Sequence, residues 1–187
     1  SDEEHSLPEN GFKNGGAFMN TNNGWIGGYT PTENFVWLYR TTDQGRSWSK
    51  VELDLPAGLL PAFVDTYPPR FFPPAGGVLP VRLMAADGKY YNIFYTTRNG
   101  GESWVQTSAI PNARVYEFIS ASEGWASDGS SLMRTFDGAV TWILLSYSGL
   151  PEGERFTMLN FVSATMGWAL TTNDATTTAH HLYRTND

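Results

Sequence analysis

The chain has 187 residues, 12 basic against 19 acidic for a formal net charge of −7, and no cysteine. Such a length suits one ordinary domain that buries its own core. The missing cysteines remove disulfides, thiolate metal sites and cysteine nucleophiles, and the acidic balance argues against nucleic acid, which demands a basic stripe. Nineteen glycines, eleven prolines and seven tryptophans are the composition of many short strands and turns.

The opening Ser1-Asp2-Glu3-Glu4-His5 is acidic, without the basic-then-apolar pattern of a leader. It reads as a solvated start, either of a mature exported chain or at a simple boundary. No run reaches the roughly eighteen apolar residues of a membrane helix. No window of about ten residues carries helical spacing free of Gly and Pro. Alternating β-branched and aromatic stretches at 35–39, 91–95 and 115–119 predict strands instead. The expected class is all-β.

In the first unit, a strand over 17–19 leads to Gly24-Trp25 and an apolar strand ending in Leu38-Tyr39-Arg40-Thr41. A hairpin box follows, Thr41-Thr42-Asp43-Gln44-Gly45-Arg46-Ser47-Trp48. The second unit carries the box as Thr97-Arg98-Asn99-Gly100-Gly101-Glu102-Ser103-Trp104 but lacks a Gly-Trp pair. Between Leu59 and Met84 it instead holds an insertion with five prolines in residues 68–80. The third unit runs through 116–119, Gly124-Trp125 and Leu132-Met133-Arg134-Thr135 into a box ending at Trp142, with Asp137, Gly138 and Ala139 inside it. The fourth runs through 159–162, Gly167-Trp168 and Leu182-Tyr183-Arg184-Thr185, and begins a box with Asn186 and Asp187. The box threonines are 56, 38 and 50 residues apart, so each unit has the size of a four-stranded propeller blade. Tight-hairpin chemistry explains the box. The Asp accepts amide bonds two residues on, the Gly takes a positive φ, and the Trp packs over the turn. At the third box Ala139 stands in the Gly position, and Gly138 is expected to take the positive φ for it.

These residues resemble the Asp-box, or BNR, repeat of sialidases, sortilin-type propellers and some glycoside hydrolases. The pairing of Gly-Trp with Arg-Thr-x-Asp-x-Gly-x-x-Trp is similar to the photosystem II stability and assembly factor type of propeller. The resemblance spans residues 14–187 and implies a β-propeller of four-stranded antiparallel blades, about four of them with the last incomplete, within a larger propeller. The expected divisions are a tail or partial strand over 1–13 and blades over 14–56, 57–110, 111–150 and 151–187. It also implies that the boxes sit at the blade periphery as structural elements: Thr41, Asp43, Gly45 and Trp48; Thr97, Asn99, Gly101 and Trp104; Thr135, Asp137 and Trp142; Thr185 and Asp187. A calcium site at the turns is not expected, because each box brings one carboxylate rather than several oxygens.

For function, the resemblance implies a non-catalytic protein-binding or scaffolding module, with a carbohydrate-active propeller of the sialidase or glycoside hydrolase kind as the alternative. A sialidase would need three convergent arginines, and Arg40, Arg134 and Arg184 instead share one repeated position. Glycoside hydrolysis needs two carboxyls about 5–10 Å apart. Asp65, Asp87, Glu117, Glu123 and Asp128 are present without a motif beyond turn chemistry, and Glu117 reads as a residue of an alternating strand. His180 and His181, with Asp174 before them, fall on opposite faces of a strand and do not chelate together. No nucleophile elbow, phosphate loop, metal motif or cofactor motif is present. The insertion offers the candidate partner-binding residues: Tyr67, which precedes Pro68 and Pro69, then Arg70, Phe71 and Phe72 on a stiff aromatic segment. Phe71 and Phe72 equally suit the first strand of the second blade, packed into its core. A protein partner is expected, carbohydrate is an alternative, and the setting is expected to be extracellular or in the cell envelope. The begun fourth box predicts a piece of a larger propeller, an unordered end, or an edge covered by residues 1–14 or by another copy of the chain.

Overall fold

The structure is a computed structural model that describes residues 7, 10–113, 115–173 and 176–185, with the backbone alone at 176–179. Among these residues there is no helix. The chain divides into two compact units, one ending at Ala109 and the other starting at Ile110, with the boundary inside the ninth strand.

The first unit opens with β1 (Phe12–Phe18), β2 (Gly24–Tyr29), β3 (Trp37–Thr41) and β4 (Ser49–Lys50), an antiparallel sheet in chain order. Its second sheet holds β5 (Pro61–Thr66), β6 (Arg70–Phe72), β7 (Gly76–Ala85), β8 (Tyr90–Thr97) and β9 (Val105–Pro111). The second unit contains β10 (Val115–Phe118), β11 (Gly124–Ser127), β12 (Leu132–Thr135) and β13 (Ile143–Leu145), again in chain order. A last sheet has β14 (Glu154–Phe161), β15 (Gly167–Asn173) and β16 (Thr176–Thr185). Asp174, Asn186 and Asp187 lie outside the described residues, as do residues 1–6 of the expected tail, while β1 starts inside that stretch at Phe12.

All four sheets share one register. A Phe of the first strand lies opposite a Gly of the second, which lies opposite the box Thr of the third: Phe18, Gly24 and Thr41; Phe71, Gly77 and Thr97; Phe118, Gly124 and Thr135; Phe161, Gly167 and Thr185. A Cβ on any of these glycines would run into the Phe ring beside it. The side-chain-free position is therefore what lets each ring lie flat across its own sheet. Between the first two strands, Asn20, Ser120 and Ser163 each accept amide bonds from residues two and three further on, closing the turn.

The insertion resolves into a split first strand. β5 pairs with the far half of β7 and β6 with its near half, and Tyr67-Pro68-Pro69 crosses between them. Pro80 breaks the apolar run in the sequence, yet it sits buried within β7 opposite Phe94. The reason is directional. A strand residue points its N and its C=O to the same side, and the Pro80 carbonyl accepts from the Tyr67 amide at 3.1 Å. Its donorless nitrogen thus faces the gap between β5 and β6 rather than the β8 ladder.

The core of the first unit gathers Trp25, Leu38, Val64, Leu79, Val81, Leu83, Ile93 and Tyr95. Leu53, Leu55 and Leu59, from the segment joining β4 to β5, pack against it. The Tyr95 hydroxyl is anchored on the Asp54 carbonyl at 2.7 Å. In the second unit the core is smaller: Trp125, Phe156 and Leu159, flanked by Leu132, Leu145 and Leu150.

Candidate functional site

Three of the boxes are complete, and all three are built alike around a buried threonine. The Thr41 hydroxyl donates to Asp43 Oδ1 at 2.8 Å and accepts from the amides of Asp43 at 3.3 Å and Gly45 at 2.9 Å. Thr97 repeats this with Asn99 and Gly101, and Thr135 with Asp137 and Ala139. The amide two residues on is therefore capped by the Thr. The acid reaches further, to the amide and hydroxyl of Ser47 at 2.9 and 2.6 Å, and in the third box to those of Thr141 at the same distances. These bonds favour the ionised form, so both Asp43 and Asp137 are held down at a pKa of about 2, with the Ser47 and Thr141 hydroxyl bonds the largest cause in each.

The positive φ falls on two successive residues in each box: Gln44 and Gly45, Gly100 and Gly101, Gly138 and Ala139. Gly138 therefore does not relieve Ala139, whose φ is +67° and whose methyl is fully buried. Trp48 donates its indole N–H to the Gly45 carbonyl at 3.1 Å. Each box Trp also meets the first-strand Phe: Phe18 with Trp48 at 6.3 Å, Phe71 with Trp104 at 6.0 Å, Phe118 with Trp142 at 6.1 Å. Thr185 occupies the same register position in the fourth sheet.

The repeated arginines also have a local task. Trp25 pairs across the strands with Arg40, Trp125 with Arg134 and Trp168 with Arg184, with guanidinium-to-ring distances of 5.3, 4.7 and 6.0 Å. Where the second sheet has Val78 instead of Trp, its cross-strand partner is Thr96 instead of Arg. The two residues change together, as a cation–π pair must. Arg134 is further tied to Glu123 by an ion pair.

The candidate partner-binding residues separate. Phe71 lies 4.6 Å from Trp25 and packs with the first unit's core. Arg70 is exposed beside it, stacked over the half-buried Phe72 ring at 5.3 Å. Tyr67 is half-buried, and its hydroxyl stands between Asp65 and Arg82. Burial, and then the Asp65 charge, push its pKa up. Asp65 also accepts from Asn14, and exposed Arg82 lies over the Tyr90 ring at 4.6 Å. The strand residues Asn14, Arg82 and Tyr90 carried no sequence signal. They are drawn in by the split first strand, which only the fold shows.

The carboxylates weighed for catalysis are spread over separate structural tasks. Asp87 pairs with Lys89 in a turn at 3.0 Å, Asp128 closes a turn on the amides of Ser130 and Ser131, and Glu123 holds Arg134. Glu117 lies half-buried opposite Trp125. His180 and His181 alternate along β16, opposite Thr172 and Thr171. His181 pairs with Glu154, a buried carboxylate that also accepts from Thr171 and, at 3.4 Å, from Tyr183. The Thr171 bond first, then the His181 charge, hold Glu154 below the usual carboxyl range. Nearby, within the second unit, a cleft of about 690 Å³ is walled by Leu132, Leu145, Tyr147, Leu150 and Tyr183.

No protein-family profile matches this sequence, and no curated protein matches it. Solved structures do. YCF48 bound to a D1 peptide is 17% identical with a TM-score of 0.54, over 94% of this chain and 54% of that one. The Hadza microbial sialidase Hz136 is 16% identical with a TM-score of 0.53, over 89% of this chain and 41% of that one. The chain spans about half the length of the solved structures it matches. The fold is a β-propeller of four-stranded antiparallel blades, with three strands described in its fourth blade.

Proposed function

We propose that this chain is a non-catalytic, protein-binding propeller of the Asp-box type, close in kind to the YCF48-like assembly factors. It binds an extended peptide across the split first strand of the second blade. The observation that carries this reading is the surface left when Phe71 is drawn into the core: exposed Arg82 stands against the Tyr67 hydroxyl, and exposed Arg70 follows at the end of the proline-stiffened crossing, over the Phe72 ring, in a chain of net charge −7. Arginine beside aromatic rings on rigid backbone suits binding, because little ordering entropy is lost. The likeness to a YCF48 solved with a D1 peptide supports it. An exported or envelope setting goes with this reading.

The likeness to a sialidase, together with the buried Glu154 beside Tyr183, supports the second reading, a carbohydrate-active propeller. That chemistry asks for a second carboxyl about 5–10 Å away, whereas Glu123, Asp87 and Asp128 are committed to their own partners. The two readings separate in one set of measurements. A random peptide library displayed on phage and selected on the 187-residue chain is expected to yield binders whose Kd rises at least about tenfold on Arg70→Glu or Arg82→Glu, with no hydrolysis of 4-methylumbelliferyl glycosides. Binders indifferent to both substitutions, no binders, or glycoside turnover lost in Glu154→Gln would overturn the proposal.

A further inference from the structure

Each unit has a space between its own two sheets, and the sheets share one register. In the first unit the space is crossed by the contact of Trp25 with Phe71 at 4.6 Å, in the second by that of Trp125 with Phe161 at 3.8 Å. On the second sheet the residues facing this space are Val64, Leu79, Val81, Ile93 and Tyr95, all buried in the first unit's core. Counted from the Gly and Thr common to every blade, the same places on the fourth sheet hold Glu154, Ala169, Thr171, His181 and Tyr183. The tyrosine is kept, and every aliphatic side chain is exchanged for a smaller or a polar one.

The exchange leaves the second unit's space hollow. Ala169 offers a methyl where Leu79 offers a full side chain. The Tyr95 hydroxyl ties down its linker through the Asp54 carbonyl, whereas the Tyr183 hydroxyl is turned to Glu154 at 3.4 Å. The cleft of about 690 Å³ opens here, within the size range of small-molecule sites. Tyr147, Phe156 and Tyr183 line it. Tyr147 stands edge-on to Phe156, ring centroids 5.3 Å apart, with its hydroxyl held by the Ser130 carbonyl. Such fixed rings favour a flat aromatic guest.

Charge is placed lengthwise. Among the described residues the walls include two arginines, Arg134 and Arg184, and no carboxylate, in a chain of net charge −7. Arg134 lies over Trp125, hence at the Phe161 end of β14. The buried Glu154, behind Tyr183, is the other end of that strand. Glu123 engages one edge of the Arg134 guanidinium, through Nε and one Nη, and that planar fork has further N–H donors. A negative group on a guest is therefore drawn to the Arg134 end and repelled from the Glu154 end.

We propose that this cleft binds a small planar aromatic acid, its ring system against Tyr147, Phe156 and Tyr183 and its acidic group toward Arg134. The site lies wholly within the second unit and is independent of the peptide surface on the first, so neither reading falls with the other.

The probe is 2-naphthoate, with 2-naphthamide as its neutral match. On the 187-residue chain, isothermal titration calorimetry at neutral pH is expected to give one 2-naphthoate per chain with a Kd below about 1 mM. The amide should bind at least about tenfold more weakly. In amide-resolved NMR spectra the largest shifts should fall on Tyr147, Leu150, Ala169 and Tyr183, a location read without any substitution. Ala169→Leu restores the side chain that the second sheet carries at this place. It should weaken 2-naphthoate at least about tenfold, with a cooperative thermal transition reporting that the variant is folded. If it does not fold, the smaller Ala169→Val is read in its place, with the same expectation. Binding weaker than about 1 mM, equal affinity for acid and amide, shifts centred outside the cleft, or full affinity in a folded, filled variant each overturns the proposal.

Discussion

At the residue scale, the box depends on its threonine more than on its acid. Thr41, Thr97 and Thr135 are 1%, 3% and 0% exposed, and each hydroxyl holds three hydrogen bonds. Thr97→Val keeps the shape and leaves the Gly101 amide without its acceptor. It should cost about 1–3 kcal/mol in urea unfolding. The acids add a pH dependence. Asp43 and Asp137 have folded pKa values near 2, below the ordinary value of about 3.9 for an unfolded chain. Their contribution is therefore complete above about pH 4 and drains away as the pH falls toward 2. Asn99 shows that an amide fits the same place, bonding Thr97 at 2.8 Å and the Ser103 amide at 3.0 Å without titrating. The double variant Asp43→Asn/Asp137→Asn should thus lose less Tm than the parent between pH 4 and 2. Parallel curves would remove the acids from the account.

At the element scale, the Phe–Gly contact sets how each first strand lies on its second, and the two ends of the exposure range predict different tolerances. Phe118 is 3% exposed and cannot turn aside, so Gly124→Ala should cost about 1–3 kcal/mol through overpacking. Phe18 is 57% exposed and can swing outward, so Gly24→Ala should cost clearly less in the same denaturation series. The contact was also the part of the repeat that the sequence conceals. Box turns are legible because their chemistry is local: Thr, Asp and Gly do their work within eight residues. Gly-Trp stands out by its tryptophan, which the second blade replaces with Val78. The feature common to all four blades is a Phe six residues before a Gly, visible at 18 and 24, 71 and 77, 118 and 124, and 161 and 167. It is a demand of cross-strand register, which composition does not express. The β5–β6 split hid for a similar reason: Pro80 reads as a strand breaker until the fold shows its nitrogen facing a gap.

At the scale of the whole molecule, a propeller leaves function open, since one architecture serves both assembly factors and hydrolases. The surface around Tyr67, Arg70 and Arg82 is assembled from residues on several strands and was only half legible in the insertion. Stability is distributed more plainly. Among the described residues, the largest fully buried side chains other than Trp125 belong to the first unit, among them Trp25, Trp37, Phe94, Tyr95, Leu79, Leu83 and Ile93. Trp25, Leu79, Leu83, Ile93 and Tyr95 gather in one cluster drawn largely from β7 and β8, where a linker carrying Leu53, Leu55 and Leu59 adds cover. The second unit has three buried core residues in its cluster, and a cleft of about 690 Å³ opens beside them. Local opening free energy follows buried apolar contact. In native-state hydrogen exchange, the amides of Val81, Leu83, Ile93 and Phe94 should therefore be the slowest, with β14 and β15 exchanging at least about tenfold faster. Equal protection of the Leu170 and Leu83 amides would mean that the second unit gains its stability from something other than its own core.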